Sequence, residues 1–415
     1  MKKVFALVLA IATTLPLLTG CNTAGATPTT SFAPLPIITT EATEAALEAI
    51  DTTAAPTQTE TTPIGVPEDF IDYTNYAYEL TMKIPKGFEV KESDLHHVRL
   101  ESSDTDQTNI TILAAVGDVL GIYDEREIKN LYWLRSELLR LTVGGIEYEL
   151  FETAIAKTFD PLVIGDITFY QTENSVDYYD SKSMSQLVQP YNKVFYFFID
   201  KNAYILNITC PPENMEQWDE IAMQMISSIK KPEPALIEFT QDNVVQYQSK
   251  TLGISFAYPK DYAFVSGLDR IVFRKNTDPS DPLYGIQITM LPGSATFTDK
   301  DKAAEQLVGM IGASYAAEDP LTKLDNVAAR NSVNATGVIS LASGQECTYF
   351  DLLTIVVAGK GGLGTFVDAG NIESRLYSFT TADGSVCAIN ISYPKSGKEA
   401  AAKVMELVEK TLTIS

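Results

Sequence analysis

The sequence predicts an α+β fold: two tandem modules, each an antiparallel sheet packed with helices in the order β-β-β-α-β-β-β-β-α. Three observations lead there. Similar segments recur in the same order in the two halves of the 415-residue chain. Runs of alternating apolar residues outnumber helical patterns. The runs follow one another with short links, which implies antiparallel pairing with helices burying the apolar faces.

The chain opens with Met1-Lys2-Lys3 and the apolar run Val4–Leu18, the basic and apolar regions of a secretory signal. The run falls short of the about twenty residues that span a bilayer. It ends in Leu18-Thr19-Gly20-Cys21, which resembles the bacterial lipobox. That resemblance implies a signal peptide over 1–20, lipidation of Cys21, and a protein held by acyl chains on the outer face of a cell membrane, in a Gram-positive bacterium. Two or more chains give stable attachment at about 0.8 kcal/mol per buried methylene. Residues 21–65 are rich in Thr, Ala, Pro and Glu and carry no Lys or Arg. Such a segment buries too little apolar surface to offset the entropy of ordering. It is expected to be a disordered stalk with an r.m.s. reach of roughly 35–40 Å.

The first module is placed at 66–231. It starts with the alternating Tyr78, Leu80, Met82 and Ile84, closed by Pro85-Lys86-Gly87-Phe88. Short strands at His97–Glu101 and Asn109–Ala115 lead to a helix over Asp124–Leu141, striped by Ile128, Leu131, Leu134, Leu138 and Leu141. Strands follow at Ile146–Ala156, Val163–Thr172, Lys193–Ile199 and Tyr204–Cys210. A helix carrying Trp218, Ile221, Met225 and Ile229 ends the module. Lys230-Lys231-Pro232-Glu233-Pro234 marks a stop and opens a linker, 232–244.

The second module, 245–415, repeats the plan. Leu252, Ile254, Phe256 and Tyr258 precede Pro259-Lys260-Asp261-Tyr262. Strands at Arg270–Lys275 and Gly285–Leu291 lead to a helix over Asp299–Tyr315, with Thr298 as its expected N-cap. Strands at Val338–Leu341, Thr348–Val357, Arg375–Phe379 and Val386–Tyr393 precede a helix with Val404, Leu407, Val408 and Leu412. Asn207-Ile208-Thr209-Cys210-Pro211 matches Asn390-Ile391-Ser392-Tyr393-Pro394, and Asp200 and Asp383 each stand seven residues before the asparagine. This order, with the Tyr78–Phe88 motif, resembles the Mog1 and PsbP fold. Asp261 replaces the motif glycine in the second module. The resemblance implies non-enzymatic modules that bind or assemble with partners, and it transfers no site residues.

The chemistry-bearing patterns are sparse. The histidines are His96 and His97 alone, and strand neighbours point to opposite faces. They make a poor chelating pair and leave a Ser-His-Asp triad few options. Ala358-Gly359-Lys360-Gly361-Gly362-Leu363-Gly364 has its lysine too early for a phosphate loop and reads as a loop between strands. Asp104 with Asp106, and Asp278 with Asp281, are acidic turns without EF-hand spacing. No metal and no cofactor is expected. The competing reading is an extracellular cell-wall or polysaccharide hydrolase using carboxylates. That requires close acids with raised pKa, which one sequence with 54 acids does not single out. A solute receptor would need two α/β lobes, which this strand-rich order does not resemble.

The net charge of −23 argues against nucleic acid and against direct adsorption to anionic lipid. The expected partners are membrane lipid through Cys21 and a protein or cell-wall component. Cys210, Cys347 and Cys387 are an odd set. Cys347 and Cys387 share a module and are open to pairing, but the apolar strands around Cys210 and Cys387 favour buried free thiols. Aromatics crowd the later strands of the first module: Tyr170, Tyr178, Tyr179, Tyr191 and Phe195–Phe198. The run 195–198 is apolar on both faces, as in a central strand covered on both sides. Within this set Tyr178, Tyr179, Tyr196 and Phe198 are the candidate partner patch, weighed against core packing.

Overall fold

The computed structural model describes residues 69–414, apart from 94–96, 103–106, 117–119, 181, 184–185, 268–269, 276–277, 279, 293–294, 308–325 and 361–364. The signal peptide, Cys21 and the stalk lie outside the described residues.

The first half holds β1 (Phe70–Asn75), β2 (Leu80–Pro85), β3 (Phe88–Ser93), β4 (His97–Ser102), β5 (Asn109–Val116), β6 (Arg140–Val143), β7 (Ile146–Thr158), β8 (Leu162–Ile164), β9 (Ile167–Asp180), β10 (Gln186–Val188), β11 (Tyr191–Ile199) and β12 (Asn202–Cys210). The second holds β13 (Val244–Ser249), β14 (Ile254–Pro259), β15 (Ala263–Ser266), β16 (Ile271–Arg274), β17 (Gln287–Leu291), β18 (Asn326–Ser340), β19 (Glu346–Lys360), β20 (Thr365–Thr380), β21 (Val386–Pro394) and β22 (Thr413–Ile414). The two large sheets run β3-β4-β5-β12-β11-β9-β7-β6 and β15-β16-β17-β21-β20-β19-β18, with β8 and β10 paired to β9. The first seven strands of one trace the same path as the seven of the other. The small sheets β1-β2 and β13-β14-β22 also correspond. Thr81 bridges Lys230 just after one terminal helix, and Ile254 pairs with Ile414 just after the other. The described residues belong to one compact unit, in which β5 meets β20 and Ser396 Oγ donates to the Ala77 carbonyl at 3.2 Å.

The α+β class expected from the sequence is overturned. The chain is β-rich, its antiparallel sheets curled into a half-barrel, and its helices are few and short beside strands of up to 16 residues. Two misreadings explain the error. The expected helix Asp124–Leu141 stops early: Glu125–Leu134 is helical, Ser136–Leu138 is a 3-10 turn, and Arg140–Val143 is a strand. Its apolar stripe continues because Leu138, Leu139 and Leu141 are all buried, but it does so through three kinds of backbone. The second misreading concerns strand length. β18 extends to Asn326, far before the expected Val338, with every second residue from 327 to 333 half-buried. An antiparallel strand needs only one apolar face, and the small Val327 and Ala329 supply it.

Local chemistry sets the helix starts. Asp124 accepts from the Glu127 N–H at 2.9 Å, and the Glu127 carboxylate accepts from the Tyr123 N–H at 2.6 Å, a variant of the capping box. In the second half 300–307 is helical, and the rest of the expected helix lies outside the described residues. Asp299, not Thr298, caps it: its carboxylate accepts from the Asp301 and Lys302 N–H groups. Gly87 takes φ 91°, which explains the glycine of the Tyr78–Phe88 motif. Asp261 has no positive φ, so its turn is built otherwise, with an ion pair to Lys275.

The central strands of each sheet are covered on both faces. On one face of the first sheet, Phe195 and Phe197 join Leu80, Phe88, Trp218, Met225 and Ile226 in one core, with Phe88 edge-on to Trp218 at 5.7 Å. On the other, Val194 and Tyr196 pack with Ile128, Leu131 and Tyr132. The second sheet is built likewise, around Phe256, Ile389 and Val404 and around Phe297, Leu352 and Leu376. The helix Lys398–Thr411 supplies Val404 and Val408.

Candidate functional site

Two tight hairpins place a hollow at one end of the first sheet. β8 and β9 join through Gly165-Asp166, with Ile164 paired to Ile167 and Gly165 at φ 59°. β11 and β12 join through Asp200-Lys201, with Ile199 paired to Asn202 and Asp200 at φ 52°. A left-handed backbone is tolerated by aspartate better than by most residues. The tips enclose about 310 Å³ together with Ile122, Tyr123, Thr168, Tyr170 and Phe198. Tyr123 is 67% exposed, held in place through its backbone by Glu127. Asp200 is ion-paired to Lys231.

Inward from Tyr170 and Phe198, on the same face of β9 and β11, the sheet turns polar while staying buried. The Tyr196 hydroxyl lies 3.4 Å from Thr172 Oγ1, and the Tyr132 ring stands edge-on to Tyr196 at 6.0 Å. Asn192 Nδ2 donates to Asn207 Oδ1 at 2.8 Å and to Thr209 Oγ1 at 3.0 Å, and Asn207 Nδ2 donates to Thr209 at 3.1 Å. Burial holds the Tyr132 hydroxyl at a pKa of about 12 and pushes those of Tyr178 and Tyr196 up as well. The second sheet repeats the belt. Thr111 pairs with Asn207 and Thr289 with Asn390; Thr209 pairs with Asn192 and Ser392 with Ser374. All eight are buried.

A chain of charges closes the belt at the rim. Arg99, 3% exposed, reaches Glu101 at 2.9 Å, Glu92 at 3.3 Å and Glu147 at 3.4 Å. Arg140 carries the chain on to Glu147 and to Glu149 at 2.5 Å, and the Tyr179 hydroxyl donates to Glu149 at 3.3 Å. The Thr142 hydroxyl donates to Glu101. Asn109 Nδ2 donates to the Arg140 carbonyl, which ties β6 back to β5 and curls the sheet. His97 Nε2 faces Glu92 at 3.4 Å, and that contact is the main cause holding the Glu92 carboxyl below its ordinary pKa.

The candidate patch residues separate. Tyr178 and Tyr196 are fully buried; Tyr179 and Phe198 are half-buried, Tyr179 beside the exposed Phe151 at 5.8 Å and Phe198 in the hollow. Cys21, His96, Asp104, Asp106 and 361–364 lie outside the described residues. Asp278 and Asp281 bind their own turn through Ser280 and Leu283, and Asp281 also pairs with Lys275. Asp383 likewise folds onto its own loop, accepting from Thr381 and Ser385. Among the described residues no three acidic, histidine or cysteine side chains gather as metal ligands. Cys210, Cys347 and Cys387 are free and buried. The sequence reading missed Asp166, Tyr123 and the Arg99 network. The Gly165-Asp166 dipeptide was the available signal for the first of these.

No protein-family model and no curated protein matches the chain. Among the solved structures similar over part of it are a PsbP and a Mog1 protein. Cyanobacterial PsbP (CyanoP) from Synechocystis sp. PCC 6803 is 10% identical, with 44% of this chain and 98% of that one covered at a TM-score of 0.28. The Saccharomyces cerevisiae Ran-binding protein Mog1p is 11% identical, with 39% and 95% covered at a TM-score of 0.26.

Proposed function

We propose that this chain is a lipid-anchored, extracytoplasmic bacterial protein whose sheet-rich body binds a partner without acting on it chemically. The observation that carries the proposal is Leu18-Thr19-Gly20-Cys21 behind two lysines and an apolar run. The Lys- and Arg-free segment to residue 65 then serves as a spacer. The body is two copies of one plan, 66–231 and 245–415, joined by 232–244. The hollow between the hairpin tips gives such a body a place to bind.

A carboxylate hydrolase needs an acid held above its ordinary pKa. Among the described residues the displaced carboxyls are Glu92, Asp180, Asp299, Asp383 and Glu406, and all are displaced downward by hydrogen bonds to His97, to backbone N–H groups or hydroxyls, or to Lys410. That favours binding over acid–base chemistry.

The test is expression in a Gram-positive host fed an alkyne fatty acid. The wild type is expected to label and to fractionate with membranes, while Cys21→Ser is expected to be unlabelled and released. Unlabelled wild-type protein in the culture fluid or cytosol overturns the anchor. Turnover of cell-wall glycan by the purified protein overturns the non-enzymatic half.

A further inference from the structure

We propose that the hollow between the Gly165-Asp166 and Asp200-Lys201 turns is a carbohydrate site, taking one or two uncharged pyranose rings. The inference deepens the binding reading above and is independent of the anchor.

Size is the first argument. About 310 Å³ stands at the low end of the roughly 300–1,000 Å³ of small-molecule pockets. Two hairpin tips and a pre-helix segment bound a bowl, whereas an extended peptide is recognised along a sheet edge.

The lining chemistry is the second. Tyr123, Tyr170 and Phe198 line it with three aromatic rings, two of them with hydroxyl handles. A pyranose presents an apolar C–H face to such a ring and hydroxyls around its edge. Asp166 and Asp200 are acceptors with two oxygens each, suited to neighbouring hydroxyls, while Thr168 and Lys201 donate.

Charge is the third. Asp200 is already neutralised by Lys231, and Lys201 lines the hollow with Asp166. The two anions and two cations balance, although the whole chain carries −23. A site for a cation would leave its carboxylates uncompensated, and one for an anion would not hold Asp166.

The fourth is construction. Asp166, Asp200 and Lys201 stand on two-residue hairpin turns, Thr168 stands on β9, and the Tyr123 backbone is tied by the Glu127 cap. Binding at a prearranged backbone loses little of its conformational entropy.

Calorimetric titration of the full chain in detergent micelles tests this, with cellobiose, maltose and N,N′-diacetylchitobiose as sugar probes and tetramethylammonium as the cation probe. At least one sugar is expected to bind at millimolar concentration. Tyr123→Ala, at an exposed position that leaves folding intact, is expected to weaken it about tenfold, the loss of one stacked ring. Asp166→Asn is expected to weaken it several-fold with an unchanged circular dichroism spectrum. Binding of none of the sugars overturns the proposal. So does binding that both variants retain, or binding of tetramethylammonium alone. Lipidation of Cys21 is not involved, so failure here leaves the anchor standing.

Discussion

Asn207 and Asn390 occupy the same place in the two sheets: each lies buried on the strand after the last hairpin, paired with a threonine, Thr111 for one and Thr289 for the other. Each is followed at the second residue by a buried hydroxyl, Thr209 or Ser392. A buried amide is stable where partners meet it, and Asn207 meets Asn192 and Thr209. Asn207→Ala removes one member of that triangle and leaves the Asn192 amide N–H short of an acceptor. The expected loss is about 1–3 kcal/mol, read as a lower urea midpoint for the transition that reports the first sheet.

Arg99 is the second test of the polar belt. Replacing a buried cation that holds carboxylates leaves them repelling one another in a poor dielectric. Arg99→Met is expected to cost about 3–5 kcal/mol. Arg99→Met combined with Glu101→Leu is expected to recover part of that loss, because one uncompensated charge goes with it. A double-mutant cycle by chemical denaturation measures the coupling.

Glu92 gives the pH dependence. Its carboxyl is held below the ordinary 4.5, chiefly by His97 with help from Arg99 and Arg140. A depressed carboxyl contributes stability that is present above 4.5 and is lost as pH falls through the folded value. Glu92→Gln is therefore expected to be less stable than wild type at pH 7, with the two stability curves converging below pH 4.5. Denaturation midpoints measured across that window check it.

These charges also show where the sequence was opaque. His97, Arg99 and Glu101 alternate with Val98 and Leu100 on β4, which reads as a polar-out strand. All five are buried, because the sheet curls and β6 returns to β5, so both faces are inside. Curvature comes from contacts between residues about thirty apart, such as Asn109 with the Arg140 carbonyl, and no local periodicity encodes it. The α+β expectation arose separately, from an apolar stripe that runs on from helix into strand and from strands longer than their apolar residues mark. What was legible is what alternation or repetition marks directly: the Asn207-Ile208-Thr209 match, the two-sided burial of Phe195–Phe197, and the Gly87 turn. The hollow was half legible. Phe198 was marked by hydrophobicity, but Asp166 and Tyr123 reach it only through tertiary placement.

The thiols are expected to be silent in the folded protein. Burial pushes the Cys347 thiol up to about 12 and raises that of Cys210 as well, and the thiolate is the reactive form. Cys347 Sγ also donates to the Ser378 carbonyl at 3.3 Å. An aromatic disulfide reagent at pH 8 should find none of Cys210, Cys347 and Cys387 in native protein. It should find all three in guanidinium without added reductant. A shortfall under those conditions would reveal a disulfide.

Gly337 on β18 lies directly opposite Tyr349 on β19, and the tyrosine ring lies over it. A Cβ at 337 would stand 2.7 Å from Tyr349 Cε1 and 2.8 Å from its Cζ and hydroxyl oxygen. This is a ring covering the gap that a strand glycine leaves. The ring is held from its other side too, since the Arg375 guanidinium sits 4.6 Å from its centroid while pairing with Asp351 at 2.7 Å. Gly337→Ala must push the ring away from β18 and toward that cation on β20, so the ring is caught between the new methyl and the guanidinium. The expected cost is about 1–3 kcal/mol. Gly337→Ala with Tyr349→Leu should cost less than the sum of the separate changes, because the smaller side chain leaves the new methyl its space. Additive costs in that cycle would mean that the ring does not constrain position 337.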